Sequence, residues 1–339
     1  MPLYRYMLRR VLFVIPLLLG ITLVAFIIAN AVPADPINAN LPSNQLNNPQ
    51  AVEAFREKWG LNKSPVEQYL IYLNNLLHGD FGTSIKTHNP VAQDIAQFLP
   101  ATIELATVGT VFGIVIGVLI GLVSAVWRNR PIDFVVRTIV LIGVSVPVFV
   151  LALIGLSVLH GQWNIVPGIG RLNVRLSPPP NVTGLFTVDA LIAGQWNTFR
   201  DAFSHLILPS LVLGLYIAGL ISRVTRSSML DVLGADYMRT ARAKGLRERI
   251  VVLRHGLSNA LLPIVTVIGL SYGSLLSGAV LTESIFAWPG IGRYMFRAST
   301  SQDFPAIMGV SILIAFIYVV VNLIVDILYY FIDPRIRAA

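Results

Sequence analysis

The 339-residue chain is 55% hydrophobic and 12% charged, against roughly 25% charged residues in a soluble domain, which is the composition of a membrane protein. Its net charge of +8 points to nucleic acid, anionic lipid or membrane topology, and only the position of the charges decides between them. The absence of cysteine excludes disulfides, iron–sulfur clusters and zinc–thiolate sites.

A helix needs about 20 mostly apolar residues to cross the hydrocarbon core. Six runs of that kind occur, at Val11 to Ala31, Ala101 to Val126, Ile132 to Leu159, Leu206 to Ser222, Pro263 to Leu281 and Ala306 to Phe331. The fourth is short and closely flanked by His205 and Arg223. Residues 1–31 therefore read as a cytoplasmic N-terminus and first span, and 32–100 as an extracytoplasmic segment. Residues 101–339 read as a core of spans two to six, with a cytoplasmic loop at 223–262. "ANA" at Ala29 to Ala31 resembles a signal-cleavage site, but the run before it exceeds the usual signal core of about 7–15 residues, so it is read as a retained anchor.

Cytoplasmic loops retain Lys and Arg. The termini, residues 127–131 and residues 223–262 share one side and carry 15 Lys and Arg; the much longer segments on the other side carry 9. The termini are therefore expected in the cytoplasm, with Arg5, Arg9 and Arg10 before the first span and Arg335 and Arg337 after the last. The positive charge is a mark of topology, and nucleic acid is not expected as a partner.

In the first extracytoplasmic segment Tyr69, Tyr72, Leu73, Leu76 and Leu77 have helical spacing ahead of a Gly-Asp-Phe-Gly turn, which predicts a small ordered cap. Residues 160–205 are rich in Gly and Pro, with Trp163 and Trp196 at interface depth, and predict a loop with short helices. Gly109, Gly113, Gly117 and Gly121 recur every four residues on the second span, and Gly269, Gly273 and Ser277 repeat the device on the fifth. Such ridges let backbones approach, either within the chain, or at a seam with a second subunit or a sliding contact in a moving transporter. Pro16 and Pro147 interrupt helical hydrogen bonding and are expected to bend their helices. Glu104, Asn322 and Asp326 are the polar groups nearest membrane depth, all toward span ends, where water or a partner Arg reaches them.

The five histidines have no metal-ligand spacing, and neither a nucleophile elbow nor a phosphate loop is present, since no lysine follows a glycine. No catalytic or metal site is expected, and the chain is not expected to be an enzyme. Without a mid-bilayer carboxylate, a secondary carrier or channel is the weaker alternative.

The loop from Arg223 to Pro263 contains eight Lys and Arg and three Asp and Glu. Burying these in lipid would cost on the order of 25 kcal/mol, so the loop lies outside the hydrocarbon. From Ser227 to Lys244 one helix is expected, with Leu230, Leu233, Tyr237 and Ala241 as an apolar stripe and Arg239 and Arg242 on another face. Gly245 supplies a left-handed stop with Leu246 as the apolar contact beyond it. A second short helix is expected from Glu248 to Leu262, ending against Pro263. Thr240, Ala241 and Ala243 are small enough for a partner to approach. Lipid adhesion and docking in a partner's groove both suit such a helix, and the length of the loop favours the partner.

The stretch "DYMRTARAKGL", followed by "RHGLSNALLPIVTVIGL", resembles the coupling-loop signature of permease subunits in bacterial ATP-binding-cassette (ABC) importers, in the dipeptide, oligopeptide and nickel branch. The general signature is E-A-A, three residues, Gly, then a later I-x-L-P. Here Arg239, Thr240 and Ala241 align with its start, Gly245 with its glycine, and Ala260, Leu262 and Pro263 with its end. Arg239 replaces the general glutamate, so no role is carried over from that residue. The opening "RRVLFVIPLLLGITLVAFII" with its later "VPADP", and "LLHGDFGTSI", "VPGIGRL", "LTESIFAWPGIGRY" and "VNLIVDILYYFIDPRIR", are likewise similar to family landmarks. Ala34 stands where the family pattern suggests Gly, and the opening resembles the first of two paralogous permeases.

The resemblance implies an all-α polytopic membrane protein with six transmembrane helices, a type I importer-like permease with a cytoplasmic coupling helix, in the bacterial inner membrane. It also implies a second homologous permease, two cytoplasmic ATPase subunits that bind ATP and Mg, and an extracytoplasmic substrate-binding protein. Asp236, Tyr237, Arg239, Thr240, Ala241, Arg242, Ala243, Lys244, Gly245 and Leu246 would form the ATPase-coupling interface. The cargo implied is di- or oligopeptides, with nickel chelates or glutathione-like peptides as the alternative. Transport would proceed by alternating access driven by the ATPases.

Overall fold

In hydrocarbon a segment must satisfy its own backbone N–H and C=O groups, so apolar runs of this length fold as helices. The computed structural model describes residues 3–31, 37 and 46–332; the "VPADP" stretch, Arg335 and Arg337 lie outside the described residues. Among the described residues the chain is helical, with one isolated bridge between Thr83 and Pro90.

The first helix, α1 (Leu3–Ala31), continues through Pro16. The expected cap is a pair of helices, α2 (Pro49–Trp59) and α3 (Pro65–Leu77). Ser64 and Glu67 close a reciprocal capping box at the start of α3, and α2 ends on Gly60 at φ 61°. Tyr69 and Tyr72 set their rings 5.5 and 5.8 Å from that of Phe26, and the Tyr69 hydroxyl donates to the Leu19 carbonyl at 3.0 Å. Those contacts seat the cap on the C-terminal half of α1.

The next helix, α4 (Val91–Val126), starts well before the expected Ala101 and runs through Pro100. The third expected span consists of α5 (Pro131–Ser145) and α6 (Val148–Gly155), the latter extended by a π-wound turn, Leu156–Gln162. The two are bent by 95° at Pro147. Proline disfavours the helical conformation in the residue before it, and Val146 is accordingly extended, at φ −80° and ψ 125°. After α7 (Phe186–Ile192) comes α8 (Trp196–Leu233), 38 residues long where a short span was expected. It outruns its apolar stretch because protein, not lipid, covers its polar turns: Thr198, His205, Ser222 and Thr225 are buried.

The loop expected in the cytoplasm, 223–262, departs from expectation in two ways. The single helix expected from Ser227 to Lys244 is broken at Gly234 and Ala235, which separate α8 from α9 (Asp236–Ala243). The second helix does not end at Pro263. It starts at Glu248–Ile250, passes through a π-wound Val251–Leu257 and continues as α10 (Ser258–Gly278) with Pro263 inside it. At the end of the π-wound turn the Asn259 side-chain amide donates to the His255 carbonyl at 2.7 Å. The chain closes with α11 (Val280–Ile285), α12 (Ile291–Thr300) and α13 (Phe304–Ile332).

Among the described residues four stretches are long and apolar enough to cross a membrane: α4, α8, Glu248–Ser277 and Phe304–Phe331. The α5–α6 pair passes the same test only when its two helices are counted together, as one bent span, and the apolar part of α1, Leu12–Ile27, is shorter than a full span. The axis of the bundle is α4 against α8, around Leu105, Leu206, Leu213, Ile217 and Ile221. A Cβ on Gly109 would lie 3.3 Å from Leu213; one on Gly113 would overlap Ile217; one on Gly117 would meet Ile221 at 2.8 Å; one on Gly121 would meet the Ser222 carbonyl at 2.6 Å. All four glycines of the first ridge therefore face one helix of the same chain. The second ridge faces α13, with Gly269 against Val325 and Gly273 against Tyr318, while the Ser277 hydroxyl bonds back to the Gly273 carbonyl.

Candidate functional site

Gly234 closes α8, and Ala235, extended at ψ 151°, redirects the chain into α9. The short helix is pinned by one side chain. Met238 is completely buried, and with Ala241 it packs on Val251, Val232 and Leu233. Gly256, on the π-wound turn, admits the methyl groups of Met229 and Met238. Tyr237, on the expected apolar stripe, is 44% exposed, while the neighbouring Met238 is the side chain that turns inward. Leu246 is also exposed and does not pack back as the expected apolar stop.

Of the ten residues expected at the interface, Ala241 alone is buried; Asp236, Tyr237, Arg239, Thr240, Arg242, Ala243, Lys244, Gly245 and Leu246 are exposed. Gly245 has φ 73° and ends the helix in the left-handed region, as expected. Arg242 forks onto Glu248, with Nη2 3.0 Å from Oε1, and ties the end of α9 to the start of the next helix. The Arg239–Asp236 pair at 3.4 Å is almost fully solvated and adds little stability. Met238 is what the sequence reading missed. Its spacing of three from Ala241 was the available signal, but Tyr237 with Ala241 offered an equally good spacing of four.

At the opposite end of the bundle the landmark stretches converge in a polar clasp. Glu104 of α4 and Arg171 of the "VPGIGRL" stretch form a buried ion pair at 2.6 Å. Glu104 also accepts from the Thr187 amide at 2.8 Å and hydroxyl at 2.6 Å. The Arg171 guanidinium lies 3.8 Å from the Phe186 ring centroid. Burial pulls the Arg171 pKa down, against the opposing attraction of Glu104. Glu283, from "LTESIFAWPGIGRY", accepts from Thr102 at 2.6 Å and from the Arg293 amide at 2.8 Å. Burial pushes the Glu283 carboxyl up in spite of these bonds. The Trp288 indole donates to the Ala101 carbonyl at 2.8 Å, and Tyr294 donates to Asp94 at 2.9 Å. Asp303 accepts from Ser84 of "LLHGDFGTSI" at 2.5 Å. The clasp locks the ends of α4, α11, α12 and α13 with charge-assisted bonds, which suits a part that moves as a unit.

Two family models cover the chain almost end to end. Residues 3–106 match the N-terminal component, and residues 113–338 the binding-protein-dependent transport system inner membrane component. The chain belongs to that family. Among its relatives, the probable D,D-dipeptide transport system permease of Escherichia coli K12 is 45% identical, over 94% of this chain and 93% of its own. The dipeptide transport system permease of Alkalihalophilus pseudofirmus is 44% identical, over 98% of this chain and 99% of its own. A glutathione transport system permease of Escherichia coli O1:K1 is 36% identical, over 98% of both. These relatives are transport permeases, not enzymes. A chain of the inward-facing MetNI methionine ABC transporter shares the fold, with a TM-score of 0.54 and 17% identity, over 70% of this chain and 96% of that one.

Proposed function

We propose that the chain is one permease subunit of an ABC importer that carries di- and oligopeptides across the bacterial cytoplasmic membrane. It pairs with a second homologous permease, receives cargo from an extracytoplasmic binding protein and is driven by two cytoplasmic ATPases that hold ATP and Mg. Six spans and cytoplasmic termini belong to the same reading. The observation that carries the coupling role is α9: one wholly buried side chain, Met238, anchors it, while Tyr237, Arg239 and Arg242 remain exposed. The peptide cargo is supported by what the relatives are named for.

The mechanism follows from which parts are stiff. ATPase closure displaces α9, and because Met238 is gripped between α8 and the π-wound turn, both neighbouring helices are pulled with it. Close-packed interfaces switch between arrangements rather than deform continuously, so the α4–α8 unit tilts as a block and access alternates across the bilayer. Hydrolysis of ATP resets the cycle.

The test co-expresses the chain with its partner subunits and compares Tyr237→Ala, Gly245→Asp and wild type in proteoliposomes. Both variants are expected to insert normally while losing most ATPase co-purification and ATP-dependent uptake of labelled dipeptide. Undiminished uptake would overturn the assignment of α9. The 36%-identical glutathione permease favours a second reading, in which the cargo is a glutathione-like peptide. Competition of glutathione against a dipeptide in the same assay separates the two cargos.

A further inference from the structure

At the end of the bundle that holds α9, the ends of α4, α5 and α8 enclose a crevice of about 540 Å³ that the transport mechanism does not use. Its roof is the contact of Gly219 on α8 with Val144 and Val140 on α5, below which the two helices separate. Arg128, Arg137, Arg223 and Arg226 line it, with Asp231 beside them. Buried Asp133 takes up two of these cations, Arg226 at 3.1 Å and Arg137 at 3.2 Å, and accepts from Ser124 and the Asn129 amide as well. Arg128 and Arg223 are exposed and make no ion pair among the described residues. Four guanidinium groups against Asp133 and Asp231 leave the crevice with a surplus of two positive charges.

The wall above the arginines is apolar, through Val136, Val140 and Leu141, and Phe134, two turns before Leu141 on the same side of α5, is 67% exposed. Its depth is that of a membrane surface, because α4 ends at Val126, α5 starts at Pro131 and an exposed Trp127 lies between them. A soluble anion needs the cations but no apolar wall; an acyl chain needs the wall but no cations. Both together fit one class of ligand. We propose that this crevice seats an anionic phospholipid of the cytoplasmic leaflet, with Arg128 and Arg223 on its phosphate and Leu141 along the first part of its chain. The leaflet follows from the Lys and Arg distribution; the site itself does not depend on the transported cargo.

The complex of the full chain with its partner subunits is purified from nanodiscs of mixed phosphatidylglycerol and phosphatidylcholine, and retained lipid is counted by native mass spectrometry. Wild type is expected to keep phosphatidylglycerol in preference to phosphatidylcholine. Removing two arginines at the membrane surface, in R128Q/R223Q, is expected to lower that retention roughly 30-fold. Leu141→Trp fills the crevice from a 69% exposed position without altering charge, and is expected to displace the lipid as well. Equal retention of the two lipids, or unchanged retention in Leu141→Trp, would overturn the proposal even if the double variant failed to assemble. Displacement of the lipid by inorganic phosphate alone would also overturn it, by marking a site for soluble anions.

Discussion

Glu104 and Arg171 are 4% and 6% exposed, so neither charge has water to fall back on when its partner is removed. Arg171→Met is expected to cost about 3–5 kcal/mol, the range for breaking a buried pair, and to lower the thermal midpoint of the purified protein. Glu104→Gln in that background removes the stranded charge while keeping an acceptor for Thr187, and is expected to recover part of the loss. Asp189 is a different case. Burial raises its pKa, but bonds from the Thr183 hydroxyl and from the Thr183, Gly184 and Val182 amides outweigh burial and hold the carboxyl below its ordinary range. A lowered folded-state pKa contributes stability that is complete above about pH 4 and is lost as pH falls through the lowered value. Residues 182–189 are therefore expected to keep their amide protection from exchange at neutral pH and lose it on strong acidification, and Thr183→Val is expected to move that loss to higher pH. Glu104 was legible as an acid near a span end that an arginine could reach. Arg171 was not legible as that arginine, since 67 residues separate the two and no local spacing connects them.

The glycine ridge of α4 was legible because a period of four is a helical period, and its partner was not, because periodicity marks a face without naming what covers it. Gly113→Leu would drive a side chain into Ile217. Overpacking of this kind costs about 1–3 kcal/mol, and the variant is expected to give less monodisperse protein on size-exclusion chromatography. Gly143→Ala, which meets nothing within 4 Å, is expected to behave as wild type. On α9 the same distinction separates anchoring from docking. Met238→Ala empties a fully buried position and is expected to destabilise the loop by about 2–5 kcal/mol, seen as faster limited proteolysis between α8 and α10. Tyr237→Ala is expected to leave that rate unchanged. The break between α8 and α9 was hidden because Gly234 is tolerated in a helix, and Ala235 is the best helix former of all. Tertiary packing of Met238, not local propensity, sets the break.

The path of the chain through the bilayer is constrained by contacts rather than by hydropathy alone. From Glu104 to Val126, α4 covers about 33 Å at 1.5 Å per residue, a full membrane crossing. The chain then turns at residues 127–130, enters the bent α5–α6 pair, and must bring Arg171 to within 2.6 Å of Glu104, at the end from which α4 set out. A re-entrant α5–α6 hairpin would leave Arg171 on the side of Val126 instead, roughly a membrane thickness away. The 95° bend therefore belongs to a crossing and not to a hairpin, and the sixth crossing of the proposed topology falls to α1. The chain contains no cysteine, so single introduced thiols report position without background. Val174→Cys, at a fully exposed position, is expected to react with a membrane-impermeant maleimide on intact spheroplasts, whereas Asn129→Cys and Lys244→Cys react only in inverted vesicles. Labelling of Val174→Cys and Asn129→Cys from the same side would make α5–α6 re-entrant, reduce the proposed six crossings to five and contradict the Glu104–Arg171 pair on which the clasp is built.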